Sequence, residues 1–311
     1  MQLIQPAKSE TRTWTSDSRN WDHYKPRSDD IIIATYPKCG TTWMQRIVGM
    51  MVLQSTAPVP LMEVSPWIDR RSEDMFKDYM AAIEAQQHRR FLKSHLRFES
   101  MPIYDEVKYI HVVRDGRDAL MSWYHFIAAF PQEFLERMDR NGESDELIGR
   151  PMPRVCDTAG VEFHRWLTQS VCSDEQDGLP NDSYFRNTES WWQQRHLANV
   201  LLVHFDDLKR DLAGEMRRIA DFLCIQIPDP QMNEYVEAAG FAAMKRDGQK
   251  LLPVLGGVLK GGADSFLRKG KNRQWETQFD PADLDLYEHK LNTQLSKGCA
   301  EWVRFGRLGS A

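Results

Sequence analysis

The spacing of apolar positions along the chain predicts alternating strands and helices. The clearest strand is Ile31–Thr35, a continuous apolar run of the kind that is buried on both faces of a parallel sheet. Further strands are predicted at Lys108–Val113, 199–205 and 90–93, and stretches with helical spacing separate them. Because parallel strands are joined by right-handed helical crossovers, we expect an α/β fold with one central parallel sheet flanked by helices. Ligands of such folds bind beyond the carboxyl ends of the strands.

The segments between these elements show no boundary between domains. The chain has 311 residues and contains no internal repeat and no Pro/Ser-rich linker, so we interpret 1–311 as a single domain with an N-terminal extension at 1–25. Residues 131–185 are rich in charge and turn formers, and residues 250–264 are rich in Gly. Both segments are expected to be long, mobile loops over the site.

Composition narrows the possible partners. Hydrophobic residues make up 41% of the chain, which is typical of a globular protein with a sizeable core. The net charge of -5 provides no general attraction to nucleic acid or to an anionic membrane. We therefore expect no nucleic-acid partner, and any anion site must be a local cluster of cations.

The cysteines and the N-terminal sequence bear on the compartment. Five scattered cysteines without metal-ligand spacing indicate neither a disulfide framework nor a zinc site, and no metal is expected. No apolar signal-peptide region and no run of about 18 apolar residues is present, so neither a signal peptide nor a membrane span is expected. The expected location is the cytoplasm.

The loop after the first predicted strand has the properties of a phosphate-binding loop. Lys38 supplies a charge, Gly40 permits close approach of the backbone, and a helix begins immediately afterwards. The N–H groups of residues 39–42 would point at the anion, and the threonine hydroxyls would add donors. An ordinary strand-to-helix turn with a solvated lysine remains the alternative reading of the loop alone.

Two other phosphate-related chemistries fit this loop poorly. A Walker A loop has its lysine directly after the glycine, whereas Lys38 precedes Gly40. A cysteine phosphatase would need an arginine in the same loop as Cys39, and the first one, Arg46, already lies inside the predicted helix. A P-loop kinase and a cysteine phosphatase are therefore disfavoured.

The loop also resembles that of a known family. Tyr-Pro-Lys-Cys-Gly-Thr-Thr-Trp at 36–43 is similar to the 5'-phosphosulfate loop of cytosolic-type sulfotransferases, which use 3'-phosphoadenosine 5'-phosphosulfate (PAPS) as donor and release the desulfated product PAP. The family usually has serine at the position of Cys39, where only the backbone N–H is retained. The resemblance implies that the donor is bound by Lys38, Cys39, Gly40, Thr41, Thr42 and Trp43.

The resemblance continues in the same order over residues 31–279. Lys93-Ser94-His95 is similar to the family's Lys-Thr-His, which implies that His95 is the catalytic base and that Lys93 and Lys38 stabilise the developing charge. The motif at 113–126 places Arg114 and Ser122 where the family binds the 3'-phosphate.

A later element is similar to the family's Arg-Lys-Gly segment, which closes over the 3'-phosphate. It consists of Arg268, Lys269 and Gly270, and Arg273 stands where a second glycine is usual. Trp43, Phe205 and Phe241 would form the adenine platform, with Phe205 in place of the usual tyrosine. The dimer motif of animal members is not matched at 276–285, so dimerisation by that route is not expected.

The resemblance implies transfer of a sulfuryl group from PAPS to a hydroxyl or amine of a small acceptor without a metal. Aromatic residues such as Trp67 and Phe126 suggest an apolar acceptor, for example a phenol, a sterol or a lipid alcohol. Acidic and arginine-rich stretches would equally suit a polar or basic acceptor. The competing functions are a P-loop kinase and a PAP-binding protein that has lost catalysis; joint retention of Lys38, Lys93 and His95 argues against the second.

Overall fold

A four-stranded parallel sheet lies at the centre of the computed structural model, which describes residues 1–71, 76–171 and 175–309. The sheet has the order β3-β2-β5-β6, and β1 pairs with β4 in a separate antiparallel ribbon. The strands are β1 Leu3–Gln5, β2 Ile31–Thr35, β3 Phe91–Ser94, β4 Ile103–Tyr104, β5 Lys108–Val113 and β6 Val200–His204. The predicted α/β fold is therefore confirmed, and the predicted bounds of β2 and β5 are correct.

Helices cover both faces of this sheet. They are α1 Thr41–Leu53, α2 Leu61–Val64, α3 Phe76–Glu84, α4 Gly116–Ile127, α5 Gln132–Glu143, α6 Ala159–Thr168, α7 Tyr184–Trp192, α8 Phe205–Arg210, α9 Leu212–Phe222, α10 Asp229–Ala239, α11 Phe241–Arg246, α12 Gly248–Leu251, α13 Gly262–Phe266, α14 Pro281–Gln294 and α15 Lys297–Phe305. Short 3-10 helices lie at Ser18–His23, Phe98–Ser100, Pro253–Gly257 and Gln274–Thr277. Among the residues described, no helix is both long and apolar enough to cross a membrane.

The apolar run of β2 is explained by burial on both faces. Ile31 and Ile33 belong to a core cluster that includes α1 and α9, whereas Ile32 and Ala34 belong to a cluster on the opposite face. All four side chains are fully buried. Successive strand residues point to opposite faces, so a strand covered on both sides has no polar alternation.

The strand register brings four loops to one edge of the sheet. Ala34 is the partner of Ser94, Thr35 is the partner of Val112, and Val113 is the partner of His204. The residues that follow β2, β3, β5 and β6 therefore leave the sheet side by side, as ligand-binding loops do in open α/β folds.

Residues 1–25 fold onto the body of the protein. The β1 strand pairs with β4, and the side chains of Trp14 and Trp21 are almost completely buried. The indole Nε1–H of Trp14 donates to the carbonyl oxygen of Arg150 at 3.0 Å. The expectation of a mere N-terminal extension is corrected, because these aromatic side chains contribute to the core.

The two predicted loop segments contain helical structure. Residues 131–185 include α5 and α6, and Phe163 and Trp166 on α6 are buried in the core. Residues 250–264 form short helical turns, in part within α12 and α13. The prediction of long loops is wrong here, because the polar residues occupy the outer faces of helices whose apolar sides pack inward.

Candidate active site

A cavity of about 350 Å³ opens at the carboxyl edge of the parallel sheet. Its walls include the segments after β2, β5 and β6, the end of β3, α4, α5, the turn at 67–71, α11 and parts of 252–274. Of the predicted site residues, all but Cys39 line it: Lys38, Gly40, Thr41, Thr42, Trp43, Lys93, His95, Arg114, Ser122, Phe205, Phe241, Arg268, Lys269 and Gly270. Residues that are far apart in the sequence thus meet in one place.

The loop between β2 and α1 is wound by two left-handed residues. Lys38 has φ 68° and Gly40 has φ 111°. A Cβ atom on Gly40 would lie 2.9 Å from the ring of Phe205, so a larger residue would clash here. The first N–H groups of α1, from Thr41 onward, have no carbonyl partner within their own helix. They form a suitable binding site for an anion.

Cys39 takes no direct part in this site. Its N–H donates to the carbonyl oxygen of Tyr36 at 3.2 Å, and its side chain is fully buried in the core. Burial raises the pKa of the thiol to about 12. The expectation that the Cys39 N–H points at an anion is corrected, because the bond to Tyr36 closes the turn.

The ammonium group of Lys38 is held between aromatic rings. Its Nζ atom lies 3.8 Å from the ring centroid of Phe266 and 4.1 Å from that of Phe126. Burial, and then the positive charges of Lys93 and Arg114, hold the pKa of Lys38 well below its ordinary value. A bound anion would relieve this repulsion, so the electrostatics favour an anionic ligand.

His95 is fixed in one tautomer. Its Nδ1 atom lies 2.8 Å from the carbonyl oxygen of Thr35, which can only accept, so Nδ1 carries the proton and Nε2 has a free lone pair. Its backbone N–H donates to Asp69 at 3.1 Å, and the Asn187 amide donates to its carbonyl at 3.1 Å. Burial and the charge of Lys93 hold the pKa of His95 well below 6.5. The His95 ring is therefore neutral and held in one orientation.

Lys93 lies two residues before His95 at the end of β3. Its Nζ atom lies 4.3 Å from the ring centroid of Trp67, and burial lowers its pKa to about 8. The side chains of Lys93 and His95 line the same cavity. The predicted pair of a base and a neighbouring cation is brought together by the strand end, where residues i and i+2 share a face.

Arg114 follows β5 directly and carries an unused donor. Its guanidinium carbon lies 4.4 Å from the ring centroid of Phe205, and its Nη2 donates to the side-chain oxygen of Asn272 at 3.0 Å. Its buried Nε atom has no hydrogen-bond partner among the described residues. The hydroxyl of Tyr184 donates to the Arg114 carbonyl at 2.7 Å and holds the backbone. An anion at this point would complete the set of bonds of the guanidinium.

Arg117, three residues later, has a structural role. Its guanidinium lies 2.6 Å from a carboxylate oxygen of Asp115 and 3.3 Å from Glu288, and it stacks 4.1 Å from the ring centroid of Trp275. Protein carboxylates thus neutralise Arg117, and its charge is not left for an anionic ligand.

The segment with Arg268, Lys269 and Gly270 covers the same side of the cavity. Gly270 has φ 61°, and a Cβ atom there would lie 2.7 Å from the ring of Phe241. Arg273 has φ 60°, and its N–H donates to Asp118 at 2.7 Å. Arg273 thus adopts the left-handed backbone that a glycine would adopt, so the turn persists without the second glycine.

The three predicted platform aromatics come from three elements. Trp43 and Phe205 meet edge to face with ring centroids 5.3 Å apart, and the Trp43 Nε1–H donates to the carbonyl oxygen of Ala239 at 2.8 Å. Phe241 is 41% exposed and lies beside Gly270. Together they place aromatic surface beside the cation of Arg114.

The comparisons with known proteins identify the family. The family model for the sulfotransferase domain matches residues 28–297. The chain belongs to the sulfotransferase family. A glycolipid sulfotransferase of Mycobacterium tuberculosis is 29% identical, over 96% of this chain and 94% of the relative. Sulfotransferase 1A1 of Bos taurus is 26% identical, over 87% and 84% of the two chains.

Solved structures with the same fold carry the desulfated nucleotide. Mouse sulfotransferase SULT7A1 complexed with PAP has a TM-score of 0.68 and 20% identity, over 93% of this sulfotransferase and 94% of that chain. Retinol dehydratase in complex with androsterone and PAP has a TM-score of 0.64 and 19% identity, over 90% and 84%. At these identities the likeness concerns the fold.

Further lining residues were not singled out from the sequence, although several lie in the segments 131–185 and 250–264 that were expected over the site. We call these residues the apolar half of the cavity; they are apolar side chains with three arginines among them: Met62, Trp123, Phe130, Phe134, Met138, Leu252, Leu255, Val258, Arg70, Arg71 and Arg137. Phe130, Phe134 and Met138 are spaced four residues apart, and this spacing in the sequence indicates one face of a helix. Over the described part of this sulfotransferase, no group of three or more His, Cys, Asp or Glu side chains is arranged to hold a metal ion.

Proposed function

We propose that this sulfotransferase moves the sulfuryl group of PAPS to a hydroxyl or amine of a small, mainly apolar acceptor and releases PAP. The observation that carries the proposal is the convergence of Lys38, Lys93 and Arg114 on one cavity with the neutral ring of His95. The PAP-containing structures of similar fold support the choice of donor.

The residues present fit this donor. The start of α1 and Lys38 would bind the 5'-phosphosulfate. The first N–H groups of the helix have no carbonyl partner within the helix, and the ammonium of Lys38 is repelled by neighbouring positive charges, so both favour an anion. Arg114, with Ser122, Arg268 and Lys269, would bind the 3'-phosphate. The adenine would stack on the platform aromatics Trp43, Phe205 and Phe241.

The chemistry requires one proton transfer and one substitution at sulfur. Nε2 of His95 accepts the proton of the acceptor hydroxyl while the acceptor oxygen forms its bond to sulfur. The bond between sulfur and the bridging oxygen breaks, and its electron pair leaves with the 5'-phosphate of PAP. Lys93 and Lys38 offset the charge that develops on the transferring and leaving oxygens. This step needs no metal, because two ammonium groups supply the positive charge.

The apolar half of the cavity supports an acceptor with an apolar body. Phe130, Phe134 and Leu255 offer aromatic and aliphatic surface in the same cavity as His95. Such walls bind by removing apolar area from water, and a few polar groups then fix the orientation. We therefore place a hydroxylated, predominantly apolar compound in this half.

Titration of the protein with PAP in the presence of EDTA tests the proposal directly. We expect tight binding that needs no metal and that ATP does not displace, followed by transfer of labelled sulfuryl from PAPS to a simple phenol. The absence of PAP binding, or displacement of PAP by magnesium-ATP, would contradict the proposal. PAP binding without transfer to any alcohol, phenol or amine would indicate a binding protein instead.

A further inference from the structure

We propose that the acceptor carries an anionic group in addition to its hydroxyl or amine, and that Arg70 and Arg137 bind this group. The inference rests on the proposed function and names the acceptor class: an amphiphile with an apolar body and a carboxylate, phosphate or sulfate. Both arginines line the cavity that contains His95.

The backbone places Arg70 close to the reacting groups. The turn that contains it runs beside β3, where the N–H of Lys93 donates to the carbonyl oxygen of Pro66 at 2.8 Å. The preceding residue, Asp69, accepts the backbone N–H of His95 at 3.1 Å. The charge of Arg70 also contributes to the lowered pKa of Lys93. Arg70 is thus attached to the same framework that holds the base.

Arg137 reaches the cavity from α5. Its guanidinium carbon lies 4.9 Å from the ring centroid of Phe134, and Phe134 and Met138 on the same helix line the cavity. Burial and the positive charges of Arg70 and Arg140 lower the pKa of Arg137. The two arginines are therefore near enough to repel each other across this half of the cavity.

A third arginine that lines the cavity, Arg71, is neutralised by a protein carboxylate. Arg71 forms an ion pair with Asp145 and donates to the carbonyl oxygen of Thr13 at 2.9 Å. Neither Arg70 nor Arg137 has a carboxylate within 4.0 Å in the described ranges 1–71, 76–171 and 175–309, whose gaps fall at 72–75 and 172–174. Two neighbouring cations without a nearby carboxylate form a site that a bound anion stabilises.

The location of the arginines assigns the anion to the acceptor. The cations proposed for the donor, such as Lys38 and Arg114, lie after β2 and β5, and Arg268 lies in the covering segment. Arg137 instead lies on α5 beside Phe134, and Arg70, whose charge acts on Arg137, lines the same cavity as the apolar residues of α5 and 252–258. An amphiphile would place its acid on the arginines, its apolar body on these walls and its hydroxyl at His95.

Matched acceptors separate this proposal from a purely apolar pocket. The probes are ω-hydroxyalkanoates of several lengths, their uncharged methyl esters, and the corresponding phosphate and sulfate monoesters of diols. Binding to the enzyme–PAP complex is measured by calorimetry, and transfer from PAPS by kcat/KM. We expect the anionic probe to be preferred over the ester roughly ten- to hundredfold, because it gains charge-assisted hydrogen bonds. The relative strength of the carboxylate, phosphate and sulfate probes identifies the anion.

The variants are Arg70→Gln and Arg137→Gln, with Arg140→Gln as the control. Arg140 lies on the same helix, three residues after Arg137, and does not belong to the lining of the cavity. Each variant should lose most of the preference for the anionic probe and keep ester binding unchanged, whereas the control should keep the preference. Equal affinity of acid and ester in the unaltered enzyme would overturn the proposal, as would an equal loss in Arg140→Gln.

The same comparison distinguishes failure of this proposal from failure of the proposed function. If PAP does not bind, the acid and the ester are compared on the protein alone. A preference that Arg70→Gln and Arg137→Gln abolish would then support the anion site without the transfer reaction. If PAP binding and transfer are normal but the acid is not preferred over the ester, the proposed function is supported and the proposed anion site is contradicted.

Discussion

The two halves of the cavity are built in different ways. The half proposed for the donor is formed by residues at the ends of hydrogen-bonded parallel strands, such as Lys38, Lys93 and Arg114. The half proposed for the acceptor is formed by α5 and by residues 252–258, which contact the core through apolar side chains. Fixed charges are thus placed by backbone hydrogen bonds, while the shape of the apolar half depends on side-chain packing.

The largest effect on the transfer rate is expected from substitution of His95, which lies where the two halves of the cavity meet. His95→Gln should lower the rate of sulfuryl transfer about 10²- to 10⁴-fold, because the substituted side chain cannot accept the proton. PAP affinity should change by no more than about twofold. Initial rates and calorimetric titration with PAP measure the two quantities.

A histidine outside the cavity provides the control for this variant. His164 is exposed and hydrogen bonds to Asp283 at 2.7 Å, so His164→Gln should retain nearly full activity. A loss of PAP affinity in His95→Gln as large as the loss of rate would assign His95 to donor binding and would break the division between the halves.

A smaller effect should distinguish the two arginines at the start of α4. Arg114→Gln should weaken PAP binding roughly ten- to hundredfold, because it removes charge-assisted bonds to phosphate. Arg117→Gln should leave PAP affinity near its normal value and should lower the melting temperature, because Asp115 loses its ion pair and Glu288 keeps only the one with Arg304. The reverse pattern, with affinity lost only in Arg117→Gln, would contradict the assignment of the donor half.

The smallest effect is expected in the pH dependence of kcat/KM. Since burial lowers the pKa of Lys93 to about 8, the free enzyme should lose activity above this pH, by up to about tenfold per pH unit. The pKa of His95 lies well below 6.5, so the base should stay neutral and active at pH 6.5. Measurement of kcat/KM across the acid and alkaline limbs of the pH profile checks this expectation. An alkaline limb near pH 8 that persists in Lys93→Arg would exclude Lys93 as its source, because arginine keeps its charge.

The sign of the effect on stability follows from the same shift. The pKa of Lys93 is lower in the folded protein than its ordinary value of 10.5. Its contribution to the free energy of unfolding is therefore fully present above pH 10.5 and is lost as the pH falls through about 8. Burying a charged Lys93 thus opposes folding at neutral pH, and a bound anion would offset that cost.

Local sequence was sufficient wherever a single element defines the feature. The bounds of β2 and β5 could be predicted because a strand buried on both faces is a continuous apolar run. The pairing of Lys93 with His95 followed from their two-residue spacing. The helices α5 and α6 were mistaken for loops because their polar faces dominate the local composition, and the contacts that bury Phe163 and Trp166 come from distant segments.

The sequence by itself determined the fold class, the phosphate-loop motif and the cationic and aromatic residues proposed for the donor, since each of these is carried by a motif within one segment. Only the tertiary structure decided that the Cys39 N–H is used within its own turn, that Arg117 is neutralised by Asp115 and Glu288, and which arginines have no carboxylate within 4.0 Å among the described residues. The physical reason is that hydrogen-bond partners, burial and net local charge depend on residues far apart in the chain, as in the contact between Arg117 and Glu288. A pattern in the sequence records which groups are present, and the fold determines which of them remain free to bind.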